Sequence, residues 1–276
     1  MTDYQTLDLA VDQQVARITM LDRPRPGEGR PDLHSELADL FTRLRADDRV
    51  RVIILTGSGD TFKVPGPRAH YDDPVNAARY NDPTFAWRTF SAIVRCHQVM
   101  AEMEKPIVCR MNGDAIGFGQ SMAFASDLIV AVEDARFLDH HMGATFLADY
   151  GRGLEEGGHT FSSVPGDGGL ALVPVHMSLL KAKEYLMLAE PIEARQLAAW
   201  GVINFAVPRE RLDAKVDEVV QKLLSRGAYA LAWTKRVANR RLVDHLNMTL
   251  DAGIAYELLT FIQRQQTGGV DKLTLE

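Results

Sequence analysis

Three short runs constrain the fold more than anything else in the sequence: "VRVIILTG" from Val50, "PIVCRMNG" from Pro106 and "DLIVAV" from Asp127. Their apolar residues stand side by side instead of at alternate positions, the pattern of a strand covered on both faces. Ahead of the first lies "LHSELADLFTRLRADDRV", where Leu33, Leu37, Leu40 or Phe41, and Leu44 share one helical face. "TFAWRTFSAIVRCHQVMAEM" precedes the second, and a short helix from about Gly119 to Ser126 precedes the third. Helices alternating with buried strands specify an α/β fold of mostly parallel strands joined by right-handed crossovers.

The two ends of the chain read differently. "TLDLAV" and "VARITML" alternate polar and apolar residues around "DQQ", which predicts a hairpin. Beyond Asp167 the pattern is mostly helical, through "SLLKAKEYLMLA", "IEARQLAAW", "RERLDAKVDEVVQKLLSR" and "AYALAWTKRVANRRLVDHL", interrupted by one strand, "VINFAV". The expected organisation is an α/β core over residues 1–226 and a helical C-terminal region over 227–276. No internal repeat or low-complexity tract is present.

Charge and composition exclude several classes of function. A net charge of −6 disfavours a nucleic-acid surface, which needs clustered Lys and Arg. No run of eighteen apolar residues exists, and "MTDYQTLDLAVDQQ" has neither a basic nor an apolar leader segment, so no membrane partner and a cytoplasmic location are expected. Cys96 and Cys109 are too few for a disulfide framework and lack metal-ligand spacing, so both are expected as buried, apolar-like side chains.

Three stretches can carry chemistry. In "NGDAIGFGQSMAFASDLIVA" a strand ends at Gly117 and a helix opens near Gly119, an arrangement that either packs strand on helix or aims backbone N–H groups at an oxyanion. In "LTGSGDTFKVPGPRAHY" Gly66 is the only backbone donor between Pro65 and Pro67, so this is either a surface turn or a second oxyanion donor. The third, "FLDHHMGATFLADYGRGLEEGGHTFSSVPGDGG", holds Asp139, His140, His141, His159 and Asp167. Neighbouring side chains on an extended segment face opposite ways, and HExxH or CxxC spacing is missing, so no metal site is expected. A neutral imidazole at His141 suits proton abstraction near neutral pH. Asp167 reads equally as a helix cap or as an acid.

The order of these segments, and above all "KPIVCRMNGDAIGFGQSMAFASDLIVAVEDARF", resembles the crotonase, or enoyl-CoA hydratase/isomerase, superfamily from about Tyr4 to Asp271. The resemblance implies a spiral of ββα turns with a helical C-terminal trimerisation region, and assembly into a homotrimer or dimer of trimers. It implies an oxyanion hole, formed by the amides of Gly66 and Phe118, that holds an acyl-CoA thioester oxygen as an enolate. Coenzyme A would enter as part of the substrate, with no separate cofactor, and Lys63 and Arg68 would flank Gly66 to meet its phosphates.

The sequence departs from the family at the chemistry. Typical hydratases place one glutamate just after the glycine-rich turn and a second four residues after the aromatic of "ARF"; here those positions hold Ser121 and His141. Phe137 and Pro165 lie 28 positions apart where about a dozen are usual, which implies an inserted irregular loop over about Met142–His159, either a lid or a trimer contact. A narrower resemblance is to crotonases of the 6-oxocamphor hydrolase type, which cleave cyclic β-diketones without coenzyme A. His34, one of His140, His141 or His159, Asp167 and Glu257 match that set, although His34 also reads as a plain helix-start residue and Glu257 as a solvated face. The expected catalytic residues are therefore His141, Asp167, Gly66 and Phe118, with Lys63, Arg68, His34, Ser121 and His140 contacting substrate. Three functions follow: acyl-CoA chemistry with altered acid/base residues, β-diketone C–C hydrolysis, or a catalytically silent scaffold that binds an acyl-CoA.

Overall fold

Gln13 and Gln14 adopt positive φ of 45° and 69° and reverse the chain between β1 (Leu7–Asp12) and β2 (Val15–Met20). Such a turn carries the twist that an antiparallel ribbon needs. The computed structural model describes residues 4–26, 32–68, 82–150, 153–159 and 161–266, so positions 267–276 of the expected helical region lie outside the described residues. β2 then pairs in parallel with β3 (Val52–Gly57), β3 with β4 (Ile107–Met111), β4 with β6 (Leu128–Val132), and β6 with β11 (Phe205–Val207). The three runs that define the sequence pattern thus stand next to one another in a sheet ordered β1-β2-β3-β4-β6-β11.

The crossovers are helical for local reasons. Asp32 caps α1 (Leu33–Ala46) by accepting from the His34 amide, and Leu37, Leu40, Phe41 and Leu44 are buried along one face. Asp82 caps α2 (Pro83–Glu102), with Pro83 in the first turn, where its missing N–H costs nothing. α1 packs on α2, while α7 (Leu212–Leu224) lies against β3, β4 and β6. Cys96 and Cys109 are free and fully buried in this core.

A second sheet, absent from the hydropathy pattern, positions the site. β5 (Ala115–Ile116) and β7 (Arg136–Leu138) run parallel, with β10 (Ile192–Glu193) antiparallel to β7. Strands of two and three residues are too short to show a period of their own. The Lys63–Arg68 loop is tied to this sheet: the amides of Phe62 and Lys63 donate to the Asp114 carbonyl, and the Ile116 amide donates to the Lys63 carbonyl at 2.9 Å. α3 (Phe118–Phe124) starts directly beneath that loop, so close that a side chain at Gly119 would overlap the Lys63 carbonyl.

The expected irregular insertion is instead an antiparallel hairpin, β8 (Thr145–Asp149) with β9 (Leu154–Gly158). In β8, Phe146 and Ala148 are buried while Thr145, Leu147 and Asp149 are exposed, a strand alternation that the exposed Leu147 and the surrounding glycines obscure in the sequence. The remaining chain forms α4 (Gly169–His176), α5 (Leu179–Leu188), α6 (Ala194–Ala199), α8 (Ala228–Ala238) and α9 (Arg240–Gln266). α9 packs against α2 and α4, and the buried Lys235 ammonium joins α8 to Asp127 at 2.7 Å. Among the described residues no helix is long and apolar enough to cross a membrane.

Replacing Gly119 with Ala forces the Lys63–Arg68 loop off α3. The expected cost is about 1–3 kcal/mol, to be read as a lower urea midpoint with an unchanged slope; an unaltered midpoint would show that the loop moves freely.

Candidate active site

Gly66 and Phe118 arrive from different elements and line one cavity of about 570 Å³. Phe118 is the first residue of α3, and first-turn amides of a helix have no acceptor within it, so its N–H is available to a ligand. Because Ile116 and Lys63 are bonded through the backbone, the two segments that carry these amides keep a fixed spacing. Two such amides lining one cavity match the residues expected for an oxyanion hole, whose single donors are typically worth about 3–4 kcal/mol.

His141 faces the same cavity from the bend that follows β7, and it is buried. Asp139 Oδ1 accepts from both the His141 amide at 3.2 Å and Nδ1 at 2.7 Å, which fixes the ring and its tautomer. Asp139 Oδ2 accepts from Gln120 Nε2 at 2.6 Å, and Gln120 Oε1 accepts from the Tyr185 hydroxyl at 2.6 Å. On the cavity side, His141 Nε2 lies 3.8 Å from Asp167 Oδ2 and 3.6 Å from Glu257 Oε1. Burial alone would make the ring neutral, but the Asp139 and Asp167 carboxyls around it outweigh burial and raise its pKa well above the usual value. These carboxyls favour the imidazolium form of His141, whereas the sequence suggested a neutral base. His140 and His159 are held neutral by burial first and by the His141 charge second.

Asp167 sits in the "PGDGG" turn, and the structure removes its capping role: the residue at the N-cap of α4 is Gly168, with no side-chain cap bond. Burial raises the Asp167 pKa to about 7, with His141 opposing and Glu257 and Asp139 adding to the rise. Its Oδ1 has no hydrogen-bond partner among the described residues, and neither does Glu257 Oε2. Glu257 corrects the sequence reading, since it is 6% exposed and lines the cavity where a solvated helix face was expected. It reaches the site because Gly166 and Gly253 face each other at the crossing of the turn and α9, leaving no room for a side chain at Gly166. Glu257 stands one turn further along the same face.

His34 also lines the cavity. Its amide and Nδ1 both contact Asp32 Oδ1, at 3.1 and 2.9 Å, the same Asp-x-His arrangement as Asp139 and His141. Burial works against it, but hydrogen bonds from His34 and Ser35 hold the Asp32 carboxyl down at about 2. The His34 ring meets the edge of the Phe118 ring at 4.3 Å between centroids. His140 and His141, expected to point apart, both face the cavity with ring centroids 4.7 Å apart, because the chain bends there, with the Gly143 amide returning to the His140 carbonyl.

Three expected contacts are placed otherwise. Ser121 is buried behind the turn, packed with His97 into the space a side chain at Gly168 would need, and it does not line the cavity. Lys63 lines the cavity, but its ammonium donates to the Leu21 carbonyl at 2.8 Å. Arg68 pairs with Glu156 of the hairpin at 3.0 Å. Sequence reading missed Gln120 and Tyr185, whose chain to Asp139 joins residues 65 apart; it left the insertion as a lid or a trimer contact, and the hairpin does line part of the cavity. Among the described residues no group of three or more His, Cys, Asp or Glu side chains is arranged to hold a metal ion.

Comparisons with known proteins agree with this architecture. The chain is 26% identical over 269 residues to a crotonyl-CoA hydratase of Syntrophomonas wolfei, covering 96% of this chain and 94% of that protein. It is 25% identical over 250 residues to the 1,2-epoxyphenylacetyl-CoA isomerase of Escherichia coli, covering 90% and 87%. An enoyl-CoA hydratase/isomerase from Mycobacterium paratuberculosis superposes with a TM-score of 0.77 at 25% identity, over 95% of this chain and 96% of that one. A β-diketone hydrolase from the cyanobacterium Anabaena, solved with (S)-3-oxocyclohexyl acetic acid, superposes with a TM-score of 0.76 at 23% identity over the same shares, a likeness of fold. The sequence model of the enoyl-CoA hydratase/isomerase family matches residues 11–271, and this chain belongs to that crotonase family.

Proposed function

We propose that this enzyme activates water with an imidazolium–carboxylate pair and cleaves the carbon–carbon bond between two carbonyl groups, releasing an enolate that the Gly66 and Phe118 amides hold. One observation carries this reading: His141 and Asp167, on either side of the insertion, stand 3.8 Å apart in the cavity that those amides line. Water addition needs one group to take a proton and one to give it. Asp167, with a pKa of about 7, takes the proton from water as hydroxide bonds to one carbonyl carbon. The carbon–carbon bond then breaks, its electron pair passes to the enolate of the second carbonyl, His141 Nε2–H gives a proton to carbon, and Asp167 passes the proton it took from water to His141, which restores both groups. Water is consumed, and a carboxylic acid and a ketone are the products. Glu257 and Asp139 keep His141 charged between turnovers.

Hydration of an enoyl-CoA thioester is the second reading, supported by the likeness to a crotonyl-CoA hydratase. The same pair would serve, but Lys63 and Arg68 would have to leave the Leu21 carbonyl and Glu156 to meet coenzyme A phosphates. Assembly into trimers or dimers of trimers accompanies either reading, supported by apolar side chains left on the surface, among them Leu180, Val237 and Met248.

Incubation with cyclic 1,3-diketones is expected to bleach their ultraviolet absorbance. Hydration of crotonyl-CoA with no loss of diketone would favour the thioester reading, and thioester binding without turnover of either class would leave a silent scaffold. In that last case a thermal shift by the thioester should disappear in Arg68→Ala.

Asp167→Asn is expected to lower turnover by about 10²–10⁴-fold while the fold persists. In the native enzyme, Asp167 must be ionised to act, so kcat/KM should rise with pH through about 7; a flat profile from pH 5 to 8 would remove Asp167 as base.

His141 must be protonated to act, so activity should fall as pH rises through its elevated pKa. Asp139→Asn removes the main counter-charge and leaves burial to dominate, so this alkaline limb should move to lower pH. A limb that stays in place would assign it to another group.

A further inference from the structure

Gly66 lies between two backbone bridges. On one side Lys63 pairs in parallel with Ala115, at the start of β5, and on the other Pro67 pairs antiparallel with Gly157 in β9. The first bridge ties the loop to the small sheet, just ahead of Phe118. The second ties it to the inserted hairpin. Pro67 has no N–H to give, so this second pairing runs through the backbone on either side of it, with Gly66 opposite Gly158 and Arg68 opposite Glu156. The side chains agree with that register, since Arg68 and Glu156 meet at 3.0 Å.

The hairpin is itself anchored where it can hold the loop still. Phe146 and Ala148 of β8 are buried against Ile116 and Leu138, and Val64, just ahead of Gly66, packs on the same cluster. A side chain at Gly157 would collide with the Phe146 ring, so that ring sits directly against the residue that bridges Pro67. Arg136 joins the two anchorages. It donates to the Leu147 carbonyl at 3.1 Å and pairs with Asp114, whose carbonyl accepts from the Phe62 and Lys63 amides. The Lys63–Arg68 loop contributes to the cavity wall, whereas Phe146 and Glu156 do not.

We propose that the inserted hairpin positions the Gly66 amide for catalysis, with Phe146 acting through Val64 and Gly157, and Glu156 acting through Arg68. Both are positioning residues, because neither reaches the reacting atoms. The inference rests on the oxyanion role given to Gly66 above. Pro65 and Pro67 fix their own φ but not the direction of the N–H between them, which is set by whatever holds the two ends of the loop. An oxyanion donor works only when aimed at the place where charge develops, and a displacement of about 1 Å can cost about 10²-fold in rate. Loosening the hairpin should therefore slow the chemical step more than it weakens substrate binding.

The test uses the full chain as wild type, Phe146→Ala, the double variant Arg68→Cys with Glu156→Cys, and the triple variant that combines all three changes. Facing residues of an antiparallel pair are close enough for a disulfide, and the native Cys96 and Cys109 are buried in the core. Rates are measured with cyclohexane-1,3-dione and with crotonyl-CoA, and the cross-link is followed by mass after thiol alkylation. Phe146→Ala is expected to lower kcat about tenfold while KM stays within about threefold of the wild type. In the triple variant the cross-link should restore kcat to that of the oxidised double variant, and reduction should abolish the recovery. A Phe146→Ala enzyme with wild-type kcat, or a loss that survives the cross-link, overturns the proposal. Should Phe146→Ala fail to fold, the double variant carries the test: its kcat should fall about threefold on reduction and return on oxidation, and equal rates in the two forms overturn the proposal. If the wild type turns over neither compound, both catalytic readings fail, and the rate of cross-linking decides. Cross-linking about tenfold slower in the triple than in the double variant supports the hairpin's hold on the loop, and equal rates overturn it.

Discussion

The Asp139 carboxylate is the interaction on which the rest of the site depends. One of its oxygens holds the His141 ring and amide, and the other accepts from Gln120, itself fixed by Tyr185. Elements far apart in sequence, the end of β7, the start of α3 and the middle of α5, are thereby locked around one anion. A buried carboxylate with this many donors is costly to remove and rigid while present. Its charge, together with that of Asp167, also raises the His141 pKa against burial, so one group contributes to both positioning and acid strength.

Around that anchor the crotonase fold divides the labour between stiff and inserted parts. The parallel sheet and the α1 and α2 crossovers supply a rigid body, and the short second sheet offers its strand ends as mounting points. Two Asp-x-His units, at Asp32–His34 and Asp139–His141, place imidazoles on the cavity by the same local geometry, although one opens a helix and the other follows a strand. In the mechanism proposed above, an imidazolium and a carboxyl stand in for the two glutamates that the family resemblance led one to expect. Ser121 at the first glutamate position is turned into the core behind Asp167.

Much of the scaffold was legible in the sequence because long elements carry a period. The three apolar runs, the hairpin at Gln13–Gln14 and the helices after Asp167 all follow from local patterning. The parts that were not legible are those whose reason lies in another segment. β5 and β10 have two residues each, and pairing alone defines them. The β8–β9 hairpin hides its alternation behind an exposed Leu147. Asp167 read equally as a helix cap or as an acid, because a glycine-rich turn offers the same residue types for either use. Glu257 resembled a solvated residue because its burial depends on Gly166 approaching Gly253, a contact between positions 87 apart. In the site, His34, His141, Asp167, Gly66 and Phe118 were identifiable as residues, while their charges and mutual distances required the fold.

The crossing of Gly166 and Gly253 also orders events in time. The turn that bears Asp167 leads into α4, but the third acidic neighbour of the His141 ring, Glu257, rides on α9, about ninety residues further along the chain. Until α9 has closed onto the turn, the charge set around the imidazole is incomplete, even with Gly66, Phe118 and His141 in place. Under the proposed mechanism, onset of activity during refolding therefore requires docking of α9 as well as formation of the central sheet, and catalysis becomes a reporter of that docking.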